Sequence, residues 1–170
     1  MIELRKITFL DEEMKECIAL AIPEERKKYV ESYAIILSDD FEFNRRNLGV
    51  RESRAVYADG KMVGLITFNY YADSPVYKEA CYRIQPFALD RDSGLGHEKA
   101  AVSALIDEFR KKSFGEAAAA VATYHPDEEG MAELFESLGF VKTDLDWSPV
   151  GQDERKDIIV RFEIGGFDYD

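Results

Sequence analysis

The chain has 170 residues, 46% of them hydrophobic, enough to close a core of ordinary size, and 34 Asp and Glu against 22 Lys and Arg give it a formal charge of −12. That charge repels a nucleic-acid backbone and no local basic patch offsets it, which argues against nucleic acid as a partner. Cys17 and Cys81 are too few for a disulfide framework, no Cys/His cluster has metal-ligand spacing, and the apolar run over residues 117–122 is far too short to span a bilayer. The expectation is one cytoplasmic domain with no metal and no membrane partner, since the first residues lead into a strand pattern and not a signal peptide.

Residues 2–9 alternate as a first strand, and residues 11–21 follow as a helix with acids in its first turn. Pro23 fits the first turn of a second helix reaching residue 37, with Tyr29, Tyr33 and Ile36 on one side. Residues 39–47 are polar and irregular, the pattern of a loop. Between residues 11 and 42 ten acids stand against four bases; the segment draws a cationic substrate if it borders a site and is otherwise a solvated surface. Asp59-Gly60, between strand patterns at 54–58 and 61–70, predicts a two-residue hairpin. Residues 79–89 are a further strand.

Arg91-Asp92-Ser93-Gly94-Leu95-Gly96 follows that strand and opens a helix over 96–112, apolar at Ala101, Leu105 and Phe109 and at Val102 and Ile106. Two glycines at a strand-to-helix junction let a backbone approach a phosphate and leave the first helical N–H groups free to bind it. The same glycines can serve merely to turn the chain. Residues 116–124 are rich in alanine, but Gly115 and His125-Pro126 bound them as a short buried strand. Residues 127–138 form a helix with Met131, Leu134, Phe135 and Leu138 toward the core and Gly139 placed to cap it. Strands over 140–147 and 157–164 and a polar tail complete a mixed sheet with helices on its faces, an α/β (α+β) arrangement.

The glycine turn and the helix ending Leu138-Gly139-Phe140 together resemble the GCN5-related N-acetyltransferase (GNAT) superfamily, which carries Q/R-x-x-G-x-G/A at its cofactor turn and a helix ending in L-G-F. The likeness is strongest over residues 83–140 and weaker over nearly the whole chain. It implies a GNAT-like acyl-CoA N-acyltransferase fold, with a mostly antiparallel central sheet flanked by helices. It also implies acetyl transfer from acetyl-CoA to a primary amine, without a metal. Carried over by position, the pantetheine arm lies along the backbone of Phe87, Ala88 and Leu89. The pyrophosphate lies over Arg91, Asp92, Ser93, Gly94, Leu95, Gly96 and His97. Acetyl transfer needs an uncharged amine, a donor for the developing oxyanion and a means of expelling the thiolate. A backbone N–H near Phe87 or Ala88, freed by a strand irregularity as in the superfamily, is the expected donor.

Where relatives commonly read N-x-x-A-x-x-L-Y, this chain has Glu128, Met131, Leu134 and Phe135, so the tyrosine able to protonate the thiolate is replaced. Arg91 also follows Leu89-Asp90 directly, where relatives usually insert about three more residues. Tyr124, at the carboxyl end of a central strand, is the candidate replacement acid. His125 is the candidate relay for the amine proton. The acidic, aromatic segment around Tyr29, and Thr143-Asp144-Leu145-Asp146, resemble the polyamine and diamine acetyltransferases of the superfamily, with Glu31, Tyr33 and Asp40 as candidate substrate residues. The runner-up readings are a catalytically weakened module that binds CoA or another ligand, and an enzyme for a protein amine. Exposed edge strands near the C-terminus make a homodimer reasonable.

Overall fold

Seven strands build one sheet in the order β1-β2-β3-β4-β5-β7-β6: β1 Ile2–Lys6, β2 Val50–Ala58, β3 Lys61–Tyr71, β4 Cys81–Ile84, β5 Ala119–Tyr124, β6 Val141–Trp147 and β7 Asp157–Glu163. The structure is a computed structural model and describes residues 1–7, 12–47, 49–72, 79–89, 94–111, 114–148, 151–152 and 154–165. Every neighbouring pair is antiparallel except β4 and β5, which run parallel. The mixed, mostly antiparallel sheet read from the sequence is therefore present. At the β2–β3 hairpin, Asp59 (φ 50°) and Gly60 (φ 83°) both take positive φ, the requirement of the two-residue turn that matches strand twist.

Helices α1 (Glu12–Ala19) and α2 (Tyr33–Arg45) cover one face of the sheet, here the front, where Cys17, Tyr33 and Leu37 pack on Ala55, Met62 and Leu65. Helices α3 (Gly94–Arg110) and α4 (Met131–Ser137) cover the back, where Leu105, Phe109 and Phe135 join Ile66, Phe68, Tyr82 and Ala122. The end of α4 follows its sequence closely. Gly139 takes φ 95°, its N–H donates to the Glu136 carbonyl and the Phe140 N–H to the Phe135 carbonyl, both at 3.0 Å. These are the paired bonds of a Schellman cap.

The second helix differs from expectation. Pro23 begins only a 3-10 turn, Glu24–Arg26, and the chain is then non-helical until Ser32. Ser32 has extended dihedrals (φ −61°, ψ 153°), and its hydroxyl accepts the Ile35 N–H and caps α2. The cap won over the proline because the buried residues Tyr33, Ile36, Leu37 and Asp40 follow it at helical spacing. The segment expected to be a loop at 39–47 is consequently helical through residue 45. Helix α4 likewise starts at Met131 and not at 127, after a turn ended by Gly130 at φ 84°. No helix among the described residues is long and apolar enough to cross a membrane.

Candidate functional site

The sheet opens where its one parallel pair stops. β4 and β5 pair only from Cys81 with Ala119 to Ile84 with Ala122; beyond that, β5 stays with β7 and the chain after Ile84 stays with β3. The Gln85 N–H donates to the Thr67 carbonyl at 2.9 Å, and Leu89 bridges Gly64. Between those two points Pro86, Phe87 and Ala88 face only Leu65 and Ile66, so the strand carries one extra residue, a bulge. Pro86 has no N–H, and among the described residues the Phe87 and Ala88 N–H groups donate to nothing. The resemblance implied a strand irregularity freeing an N–H near Phe87 or Ala88.

The other polar groups of the segment are engaged. The Phe87 carbonyl accepts from Arg26 Nη2 at 2.5 Å, the Ala88 carbonyl from the Tyr33 hydroxyl at 2.6 Å, and the Leu89 N–H donates to Glu98 Oε1 at 3.3 Å. Arg26, from the 3-10 turn, also donates through Nη1 to Glu98 Oε1 and through Nε to Glu128 Oε2, each at 2.9 Å, and Glu128 Oε1 accepts the His125 N–H at 3.2 Å. One guanidinium thus ties the end of β4 to α3 and to the turn before α4. Burial pushes the Glu98 carboxyl up, Arg26 opposing it, and Glu98 Oε2 has no partner among the described residues. Sequence reasoning missed this cluster because its members lie 72 and 102 residues apart.

Tyr124 ends β5, 5% exposed, its ring stacked on Phe135 at 5.8 Å between centroids. It therefore stands beside Phe135, the residue that the resemblance sets against the superfamily's tyrosine. Burial pushes the phenol up, with Glu133 and Glu136 adding to the shift, so it holds its proton at neutral pH. His125 stacks on Tyr29 at 4.8 Å, and its Nδ1 accepts the Asp127 N–H at 3.0 Å. That bond ties the ring of the candidate relay to the turn that follows β5.

Of the expected phosphate turn, Arg91, Asp92 and Ser93 lie outside the described residues. Gly94 and Leu95 open α3, and Gly96 is exposed with open space where a Cβ would stand. His97 is half-buried with Nδ1 unpartnered among the described residues. It lies toward the β2–β3 hairpin, where the N-terminal ammonium chiefly, and His97 in part, hold the Asp59 carboxyl down.

The three expected substrate residues are spread over three cavities, with Glu31 and Tyr33 sharing one of them and Asp40 lining another. Tyr33 is 2% exposed, with its hydroxyl on the Ala88 carbonyl. Asp40 is buried and accepts from Arg51 Nε at 2.5 Å and from the Ser53 hydroxyl. Desolvation raises its carboxyl, while Ser53 and Arg51 pull against that. Glu31 is exposed and lines a front-face cavity of about 260 Å³ with Tyr29, Arg83, Gln85, Trp147 and Arg155. Tyr29 joins this cavity to His125 at the end of β5. The signal that was available for it is Arg83, a charge set between Tyr82 and Ile84 in a buried strand.

No protein-family model matches the chain, and no curated protein matches it. Solved structures do. A RimL ribosomal alpha-N-protein acetyltransferase in complex with coenzyme A superposes with a TM-score of 0.67 at 14% identity, over 95% of this chain and 93% of that one. A ribosomal-protein alanine N-acetyltransferase from Escherichia coli gives 0.62 at 20% identity, over 96% and 94%. The chain has the GNAT acyl-CoA N-acyltransferase fold. The N-acetyltransferase PseH of Campylobacter jejuni, in complex with acetyl coenzyme A, gives 0.60 at 14% identity over 96% and 99%. At these identities the likeness is one of fold, and chemistry has to be argued from the site.

Proposed function

We propose that the chain transfers the acetyl group of acetyl-CoA to a primary amine of a small molecule held in the front-face cavity. The observation that carries this reading is the bulge, which leaves the Phe87 and Ala88 N–H groups without partners among the described residues at the point where β4 and β5 part. Acetyl-CoA supplies an acyl thioester, and these two donors are the groups that would stabilise charge gathering on its carbonyl oxygen. Helix α3, opening after the glycine turn, would receive the phosphates at its N-terminus. Tyr124 is the protonated acid nearest the missing tyrosine; a thiol of pKa about 8.5 leaves tolerably even with weak assistance.

The acceptor need not be a polyamine. Of the acid and aromatic residues expected to hold a polycation, Glu31 lines this cavity, while Tyr33 and Asp40 are mostly buried and line others. A second reading has its own support. Arg26 and Glu98 already occupy the Phe87 carbonyl and the Leu89 N–H, and Phe135 stands at the acid position, which suits a module that binds an acyl-CoA or another ligand without fast chemistry.

Calorimetric titration with acetyl-CoA and release of free thiol across a panel of amines separate the two. The enzyme reading expects binding, a stabilisation of about 2.7 kcal/mol at 100 times the dissociation constant, and thiol release that depends on the amine. Binding without thiol release supports the module, and no binding at millimolar acetyl-CoA overturns acetyl transfer and leaves the module only a ligand other than acetyl-CoA.

A further inference from the structure

Arg83 is 7% exposed on the central strand β4, and among the described residues no carboxylate pairs with it. Its Nη2 donates to the Thr123 hydroxyl at 3.3 Å, its Nε is buried without a partner among the described residues, and its guanidinium carbon lies 4.3 Å from the centre of the Trp147 ring. A guanidinium withdrawn from water and given no counter-ion is unfavourable on its own, and a planar fork of donors lining a cavity suits a two-oxygen anion. The other charges around the cavity do not meet this need. Asp157 is held by Arg155 at 2.8 Å, Arg51 is turned to Asp40, and Glu31 and Asp39 are exposed on the α2 side of the cavity.

We infer that Arg83 receives an oxyanion carried by the acceptor, a carboxylate or a phosphate, so that the acceptor bears a negative group at the end remote from its amine. The amine end of this statement rests on the acetyl-transfer reading; the oxyanion end rests on Arg83 alone. A chain of formal charge −12 opposes the approach of a simple anion, and an acceptor with its own ammonium escapes much of that repulsion. Arg83 and the bulge at Phe87 lie on one extended segment, four residues or about 13 Å apart. One molecule lying along that segment can reach both, provided several bonds separate its two charges.

Trp147 is the single tryptophan of the chain, so its emission reports on the ring against Arg83. The test uses four amines of equal chain length: 6-aminohexanoate, 6-aminohexyl phosphate, hexylamine and 1,6-diaminohexane. Titrated at fixed ionic strength, one or both of the oxyanion-bearing amines should shift Trp147 emission saturably, and the other two should not; the larger response identifies carboxylate or phosphate. In turnover with acetyl-CoA, the preferred amine should show a KM at least tenfold below that of hexylamine. Arg83→Met should abolish the emission response and the KM advantage over hexylamine, and Arg83→Lys should restore part of both. A saturable Arg83-dependent emission change with no acetylation of any amine upholds the oxyanion site and defeats acetyl transfer. Acetylation of hexylamine as efficient as that of the oxyanion-bearing amines, with no emission change, overturns the inference and leaves acetyl transfer standing.

Discussion

Two arginines, each only 7% exposed, sit on either side of the opening between β4 and β5 in contrasting company. Arg26 meets two carboxylates, a backbone carbonyl and, at 3.4 Å, the sulfur of Met131. Arg83 meets one hydroxyl and the face of an indole. Burial is equal; satisfaction is not. Arg26 has the marks of a structural tie, since every element it touches supplies an acceptor. Arg83 has the marks of a binding group, since its needs are left for something that arrives from outside.

Removing the tie should give the largest effect. Arg26→Met leaves Glu98 and Glu128 facing each other in the interior, and should lower unfolding stability by about 3–5 kcal/mol, read from denaturant midpoints at neutral pH. Adding Glu98→Gln and Glu128→Gln to that variant should recover much of the loss. A triple variant as weak as the single one would mean that Arg26 acts by packing and not by charge.

The next effect is one of pH. The Glu98 carboxyl is raised in the folded chain, chiefly by desolvation, so the proton is held more tightly folded than unfolded. Its contribution is fully present below the unfolded value of about 4.3 and is lost as pH rises through the folded one. The stability of the parent relative to Glu98→Gln should therefore fall between pH 4 and pH 7. Parallel curves would place the cluster's extra proton elsewhere.

Arg83→Met should change stability least, within about 1 kcal/mol in either direction, because no carboxylate among the described residues is orphaned and an apolar chain of similar volume fills the space. A loss as large as that of Arg26→Met would erase the contrast between the two arginines and make Arg83 a structural residue.

What was legible in the sequence was local. Asp59-Gly60 announces its hairpin because both residues tolerate positive φ, and Leu138-Gly139-Phe140 announces its cap for the same reason. The mixed sheet follows from hairpin-linked strands succeeded by alternating strands and helices; that most of it is antiparallel was implied by the resemblance. The start of α2 was read at Pro23, although Ser32 three residues before Ile35 was the stronger signal, because a proline at a first turn and a serine cap compete and only the packing behind them decides. Tyr33 and Asp40 were read as substrate residues because acid and aromatic character does not say which way a side chain faces. Arg26, Glu98 and Glu128 could not be read together, since nothing local links residues brought into contact by a sheet and three different connections. The bulge was expected by resemblance alone; its extra residue becomes countable only when β3 is laid beside it.

That extra residue makes chain length a functional variable. Removing one residue from 86–88 would leave composition, helices and nearly all of the core chemistry in place. It would also let the ladder with β3 run on without an extra residue, and with Ala88 as the one removed it would turn the Phe87 ring from the back of the sheet to the front. Replacing side chains here touches packing; changing the count by one touches which way the backbone speaks. A segment of this kind tolerates spelling changes and fails on omissions, and a comparison that scores residues without scoring gaps would pass over the one alteration that closes the site.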